Sequence, residues 1–316
     1  MKKFLALVLA LAMFFVLTAC GGSDKAEEVS DKILIGLSMH NQTADWAVQF
    51  KDTFLACAAE KGVEVTWNDA NAVAATQVNN IDDLVTQKVN SLVVVPADYT
   101  ALGQALQAAY DAGIKIVNAD SKVVEEDQEL ISSFITADCY KGGYVAGEYL
   151  AEILPEGAVI GTLNYPQIAV IADRFIGMQD AFNNLGRTDI VVIEKIVTDL
   201  NAIATYTEDM LMANPEIAGF VCLNDNTALS CYAACAQLDR PDCMVIGFDG
   251  SPAAKQSIAN GEMTGSLVYS PVDLAKSSFD AAYAYATGAT YEKEVQVPMW
   301  LISPENIGER DLENWE

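Results

Sequence analysis

Short runs of Val, Ile and Leu alternate with segments of helical periodicity along most of this chain, and that rhythm leaves few folds open. Ile33 to Ser38, Val63 to Trp67, Ser91 to Val95 and Lys115 to Val117 are predicted strands. A second series repeats the pattern at Ala158 to Leu163, Ile190 to Ile196, Ile217 to Leu223 and Met244 to Phe248. Near-continuous apolar strands are covered on both faces, and their alternation with helices makes the sheet parallel. The chain has 316 residues, more than one hydrophobic core usually serves, so two series predict two α/β lobes.

The intervening helices carry their own signals. Behind Trp46, the residues Phe50, Phe54 and Cys57 recur at helical spacing while Lys51, Asp52 and Glu60 fall elsewhere on the turn, as in a layer packed on a sheet. Ser270-Pro271-Val272-Asp273 combines a capping hydroxyl, a proline at the first helical position and an acid in the first turn, with Gly288 as the stop. The helix so predicted, with Leu274, Phe279, Ala282 and Tyr283 on one face, follows the second series and fits either lobe.

The amino terminus is of another kind. Lys2 and Lys3 precede an uncharged run from Phe4 to Leu17, and Leu17-Thr18-Ala19-Cys20 leads into Gly21-Gly22. A basic start, an apolar stretch and small residues before a cut describe an export signal, and a cysteine at this point is what a lipoprotein signal peptidase leaves as a lipidated first residue. The alternatives are an ordinary secretory signal or a membrane span, but the run is short of the ~18 apolar residues a span wants. Residues 1–19 are therefore read as signal peptide, Cys20 as the lipidation site and 20–30 as a flexible tether. The expected location is the extracytoplasmic face of the cell membrane.

Charge narrows the partners. Lys and Arg number 18 against 44 Asp and Glu, a formal net charge of −26. Phosphate backbones repel such a surface and no basic cluster interrupts it, so nucleic acid is excluded as a partner. An acidic, aggregation-resistant surface is the plain reading. The run Glu125-Glu126-Asp127-Gln128-Glu129 is read as a solvated loop rather than a calcium site.

Each apolar run gives way to small polar or acidic residues: Ser38 to Asn41, Asn68-Asp69, Pro96-Ala97-Asp98, Asp120-Ser121, Asn164, Asn224-Asp225 and Asp249-Gly250. One such residue is commonly just a helix cap. Their recurrence in both series predicts two polar walls, because ligands of open α/β sheets bind outside the carboxyl ends of the strands.

From about Ile33 to Val297 the chain resembles the ribose-binding type of periplasmic sugar-binding protein, the solute-binding component of an ABC importer. The most specific stretch is Asn224-Asp225-Asn226-Thr227-Ala228-Leu229, followed by Val245-Ile246-Gly247-Phe248-Asp249-Gly250-Ser251-Pro252. Ile116 to Asp120, Ala137 to Gly143 and Asp173 to Met178 support it. Repressors of the lactose-repressor type share this body, but they open with a helix-turn-helix and stay in the cytosol, whereas an export signal stands here. The resemblance implies two Rossmann-like lobes with parallel sheets joined by a three-strand hinge. Residues 31–135 plus 271–294 would form the N-terminal lobe and 136–270 plus 295–316 the C-terminal lobe, with crossings near Thr136, Tyr269 and Val295.

Ligand contacts follow from the same resemblance. Asn41 and Trp46 match the amide and aromatic ring of the first strand-to-helix loop, and Asp120 the acid after the fourth strand. Arg174 matches the arginine of an Arg-x-x-Gly pattern, and Asn224 and Asp249 the amide and carboxylate of the second lobe. Carboxylates and amides accept from vicinal hydroxyls, Arg174 donates through a planar fork, and an aromatic face packs on the C–H side of a sugar ring. Two positions depart from ribose binders: Ser121 stands where an arginine is common, and Tyr269 where a glutamine is. Both are counted among the ligand contacts. The pocket then holds two carboxylates against one clear cation, so Arg174 is shared, a water intervenes, or the ligand carries positive character.

Other chemistry finds little support. His40 is the only histidine, which removes Ser-His-Asp and histidine-rich zinc sites, and it is read as a solvated loop residue with a ligand contact as the alternative. No nucleotide, nucleophile-elbow or calcium-loop motif occurs, so no cofactor, metal or catalytic residue is expected and an enzyme is the minor reading. Cys57, Cys139, Cys222, Cys231, Cys235 and Cys243 follow Cys20. They are read as buried free thiols, with a disulfide or a thiolate metal site as alternatives that spacing cannot separate. The function expected is capture of a sugar or polyol by a monomer and delivery to a transporter permease. A nucleoside-like or amine-containing ligand, and a sensory receptor presenting its closed form to a kinase or chemoreceptor, remain as alternatives.

Overall fold

The computed structural model describes residues 32–166 and 168–316. The segments read as signal peptide and tether, with the expected lipidation site Cys20, lie outside the described residues. No helix among those described is long and apolar enough to cross a membrane.

Two six-stranded sheets organise the body. The first contains β1 (Leu34–Met39), β2 (Glu64–Asp69), β3 (Ser91–Val94), β4 (Lys115–Ala119), β5 (Ser133–Ala137) and β11 (Glu294–Val297), in the order β11-β5-β4-β3-β1-β2. Every pairing in it is parallel. The second contains β6 (Val159–Asn164), β7 (Val191–Ile196), β8 (Ile217–Cys222), β9 (Met244–Asp249), β10 (Gly265–Val268) and β12 (Leu301–Ile302), ordered β12-β10-β9-β8-β6-β7. Only β12 runs antiparallel there. The predicted strands fall within a residue or two of these bounds; the inner strands are buried, but β2 and β7 lie at sheet edges and are partly exposed, so the expectation of cover on both faces does not hold for them.

Connectivity locates the functional end. From β1 the chain goes to β2 on one side and β3 on the other, and β6 stands in the same relation to β7 and β8. Register keeps the ends level: Ser38 lies beside both Asn68 and Val94, and Leu163 beside both Lys195 and Cys222. Each sheet thus has a switch point, between β1 and β3 in the first and between β6 and β8 in the second, and a crevice opens beyond the carboxyl ends there.

The helices lie where their apolar faces require. Helix α1 (Asp45–Lys61) buries Trp46, Phe50 and Phe54, and ends at Gly62, whose φ of 65° lets its N–H reach Ala58 and Ala59 carbonyls. Helices α2 (Ala74–Thr86) and α3 (Gly103–Asp111) cover the other face of the first sheet with Ile81, Leu84 and Leu106. In the second half, α4 (Cys139–Ile153) lies against α5 (Ala169–Asn184), and α6 (Ile203–Ala213) against α7 (Asp225–Gln237). Helix α8 (Pro252–Ala259) follows β9, and α9 (Pro271–Ala286) starts at the Ser270 cap with Pro271 in its first turn. Its apolar face packs on α1, where Phe279 meets Phe54 edge-on at 5.4 Å, so this helix belongs to the first sheet.

The chain passes between the sheets after Ala137, at Tyr269-Ser270, and between Val297 and Leu301. The last differs from the crossing expected near Val295, because Glu294–Val297 pairs in register with Phe134–Ala137 and so extends the first sheet. The final residues straddle both halves. Trp315 packs into the first core, while Lys255 on α8, with its side chain fully buried, donates to the Asn314 carbonyl at 2.5 Å and pairs with Glu316 at 3.1 Å. Ser270 Oγ donates to the Glu316 carbonyl at 2.5 Å. The six described cysteines are free, with Cys222, Cys231, Cys235 and Cys243 buried in the second core. No cluster among the described residues suits a metal.

Candidate ligand-binding cleft

A cavity of about 160 Å³ lies at the crevice, and both halves of the chain line it. Asn41, Trp46, Asp120 and Tyr269 face Arg174, Asn224 and Asp249 across it. Ser121 does not line it. That residue is buried behind Asp120, with its hydroxyl 3.4 Å from the Asp120 carboxylate.

Trp46 forms the aromatic floor. It sits one residue into α1, because Asn41 Oδ1 accepts from the Thr43 and Ala44 amides at 3.1 Å and turns the chain into the helix. Its ring stacks on Tyr269, with centroids 5.6 Å apart and planes inclined by 20°, and its Nε1–H donates to the Tyr269 carbonyl at 2.9 Å. The Tyr269 hydroxyl in turn donates to Asp120 Oδ1. A single residue in the second crossing therefore holds both the floor and one wall.

The two carboxylates project from strained backbone. Asp120 follows β4 with φ of 67°, and Asp249 ends β9 with φ of 121°, conformations that side-chain-bearing residues rarely hold. Such strain persists where the surroundings over-determine it, and here it aims two acids into one cavity. Around Asp120 the buried Asn118 does this, donating to the Ser121 carbonyl at 2.9 Å and accepting from the Val123 amide at 3.0 Å.

Arg174 comes from the second turn of α5 and is almost wholly buried. Its Nη1 donates to the Leu223 carbonyl at 2.6 Å, and its guanidinium lies 4.7 Å from the Phe248 ring and 5.0 Å from the Tyr269 ring. Nη2 remains 3.9 Å from Asp249, and Nε has no partner. Asn224 is both a cap and a lining residue. Its Oδ1 accepts from the Thr227 amide in a capping box, which occupies the oxygen and leaves the amide nitrogen for the cavity.

Asp225 was not singled out from sequence. It is buried one layer behind Asp249, accepting from the Ser251 amide at 2.7 Å and from Ser266 Oγ at 2.6 Å. Burial pushes its carboxyl up to about 6 despite those donors, and burial likewise raises Asp249, against the pull of Arg174 and with help from Asp225 and Asp120. A carboxyl raised in the folded state binds more protons there than in the unfolded chain, so stability falls as pH rises through that window. Denaturant midpoints should therefore increase as pH is lowered from 7 towards 5, and Asp225→Asn should flatten that increase; an identical slope in the variant would contradict the assignment.

His40 lines the cleft and is not the solvated loop residue expected. It is half-buried, its ring centroid lies 6.2 Å from Trp46, and Nδ1 has no partner. Desolvation holds it below the usual histidine range, against the pull of Asp120 and Asp69. Other strand-end residues serve local structure. Asp69 accepts from the Asn71 amide, Asp98 from Thr100, and Asn164 donates to Glu194. A second chamber of about 230 Å³ adjoins the cleft across Asp120 and Val170, lined also by Lys122, Asp138 and Asp173.

Comparison with known proteins agrees with this architecture. The family model described as "Periplasmic binding protein domain" matches residues 35–290. The Bacillus subtilis (strain 168) "Ribose import binding protein RbsB" is 27% identical over 310 residues, covering 95% of this chain and 99% of that protein. A "Xylitol-binding protein" of Mycolicibacterium smegmatis is 23% identical, covering 97% of this chain and 87% of that one. Among solved structures, an ABC transporter solute-binding protein from Mycobacterium smegmatis with bound glycerol superposes with a TM-score of 0.82 at 28% identity, over 90% of this chain and 99% of that one. With two parallel-dominated sheets, each with a switch point at the shared crevice, the chain belongs to the periplasmic binding protein family, and its relatives are those of the ribose-binding type.

Proposed function

We propose that this protein captures a sugar or polyol in the cleft and delivers it to an ABC transporter permease, held outside the membrane by a lipid on Cys20 and acting as a monomer. One observation carries the reading: acceptors and donors from both halves of the chain converge on a small cavity floored by Trp46. Asp120 and Asp249 accept hydrogen bonds from hydroxyls, Asn41 and Asn224 present amide nitrogens, Arg174 donates, and Trp46 covers the apolar face of the guest. Neither half supplies the full set, so a bound guest favours the arrangement in which both reach it. No catalytic step is assigned to these residues.

The relatives name the probes. D-Ribose, D-allose, xylitol and glycerol, with further polyols and nucleosides, are to be screened by thermal shift, since a tight guest raises the melting temperature by mass action. Against the best of them, Asp249→Ala is expected to weaken binding by about 100-fold or more, because the guest's donors then meet no acceptor in a desolvated site. The melting temperature of the empty protein should hold or rise, as the variant removes a buried acid facing Asp225. Unchanged affinity by calorimetry would refute the role of Asp249.

A further inference from the structure

The charges around the cleft do not balance. Among its lining residues Arg174 is the one Lys or Arg; its Nη1 donates to the Leu223 carbonyl and its guanidinium lies against two aromatic rings. At 3.9 Å its Nη2 is too far from Asp249 for a direct hydrogen bond. Among the described residues no donor reaches the Asp249 carboxylate within hydrogen-bond distance, although the residue is nine-tenths buried. Asp120 meets only neutral donors, the Tyr269 phenol and, at 3.4 Å, the Ser121 hydroxyl. The nearby Lys122 is paired with Glu294 at 2.8 Å. Asp225 adds a third acid directly behind Asp249.

Taking the cleft as the ligand site, we propose that its guest carries a protonated amine among its hydroxyls, seated where the Asp120 and Asp249 carboxylates converge. A neutral polyol can donate hydroxyls to both acids but leaves their charge uncompensated in a closed, dry site, which is expensive. An ammonium group supplies three donors and the missing positive charge at one point. The mutual repulsion of Asp249 with Asp225 and Asp120, which raises Asp249 together with its burial, is relieved by the same group. Aminopolyols and amino sugars meet these demands. The remaining hydroxyls fall to Asn41, Asn224 and Arg174, and the carbon skeleton to Trp46.

Matched pairs test the proposal by calorimetry at pH 7: glucamine against sorbitol, galactosamine against galactose, and mannosamine against mannose, the neutral twin being the control of equal size and the N-acetyl form a second, bulkier uncharged control. In at least one pair the amine should bind 10-fold or more tightly than its neutral twin. N-Acetylation should erase the advantage, and Asp249→Asn should shrink it towards unity. In parallel, immobilised protein is exposed to yeast extract, and the captured solute is released by denaturation and run on a cation exchanger at pH 7. Retention supports the proposal. Neutral twins that bind as well as the amines overturn it while leaving sugar and polyol capture standing. Binding of putrescine with no affinity for any polyhydroxyl compound sinks the sugar and polyol reading instead and leaves the cationic preference. Failure of every pair, with an uncharged captured solute or none, overturns the proposal.

Discussion

Gly143→Ala should lower the unfolding free energy by about 3 kcal/mol or more and remove ligand capture with it. By helix propensity alone the change should stabilise, since glycine in a helix interior costs roughly 0.5–1 kcal/mol relative to alanine. Sterics reverse the sign. A Cβ on Gly143 would stand 1.8 Å from the Arg174 carbonyl oxygen, and one on Gly177 would stand 2.0 Å from the Tyr140 carbonyl oxygen, so α4 and α5 touch backbone to backbone. Neither carbonyl can swing aside as a side chain would, and the helices must separate. That separation moves Arg174, whose own carbonyl is the contact, away from Leu223 and the cleft. Gly142→Ala is the control, because the atoms it meets are the flexible end of Met299. Urea titrations should show a large loss for Gly143→Ala and a small one for Gly142→Ala; equal midpoints would mean that the close approach does not hold the helices.

Deleting residues 312–316 should cost about 3–5 kcal/mol, the range for stranding one partner of a buried ion pair. Lys255 has no exposed surface, and the partners of its ammonium group are the Asn314 carbonyl and the Glu316 carboxylate. The deletion also strips Trp315 from the first core. The two losses can be separated. Lys255→Met in the deleted chain removes the stranded charge and should recover a good part of the stability, whereas Trp315→Ala in the full chain reports the packing share. No recovery with methionine would show that the ammonium finds water once the segment is gone.

The features legible in sequence were those that repeat or that follow local rules. Six of the eight predicted strands are buried Val/Ile/Leu-rich runs, while the two edge strands β2 and β7 carry polar residues and are partly exposed yet keep enough β-branched residues to be legible. Ser270-Pro271 announced the start of α9 because capping is a local affair. Ser133–Ala137 and Gly265–Val268 were not picked out as strands, since five and four residues containing serine, threonine or glycine give periodicity too little to work on. The assignment of α9 to the first sheet depends on contacts with α1, more than two hundred residues earlier, which no window can see.

The site divides in the same way. Asn41, Trp46, Asp120, Arg174, Asn224, Asp249 and Tyr269 converge on one cavity as the motifs implied. Ser121 failed because the reversal of the backbone at Asp120 turns the next residue inward. Asp225 stands at a strand end but not among the expected ligand contacts, and the buried hydrogen bonds from Ser251 and Ser266 show it to be a structural acid. His40 reads in sequence as a solvated loop residue with a ligand contact as the alternative, because no local signal shows that its ring lies 6.2 Å from Trp46.

Tyr269 has a consequence for how the lining of this cleft can be altered. Its carbonyl anchors the indole, its phenol engages Asp120, and its main chain is one of the connections between the two halves. Taste and mechanics thus share a residue. A substitution there touches the indole, the acidic wall and a connection between the two sheets together, so this position cannot be altered for the sake of the cleft without also altering the link between the halves.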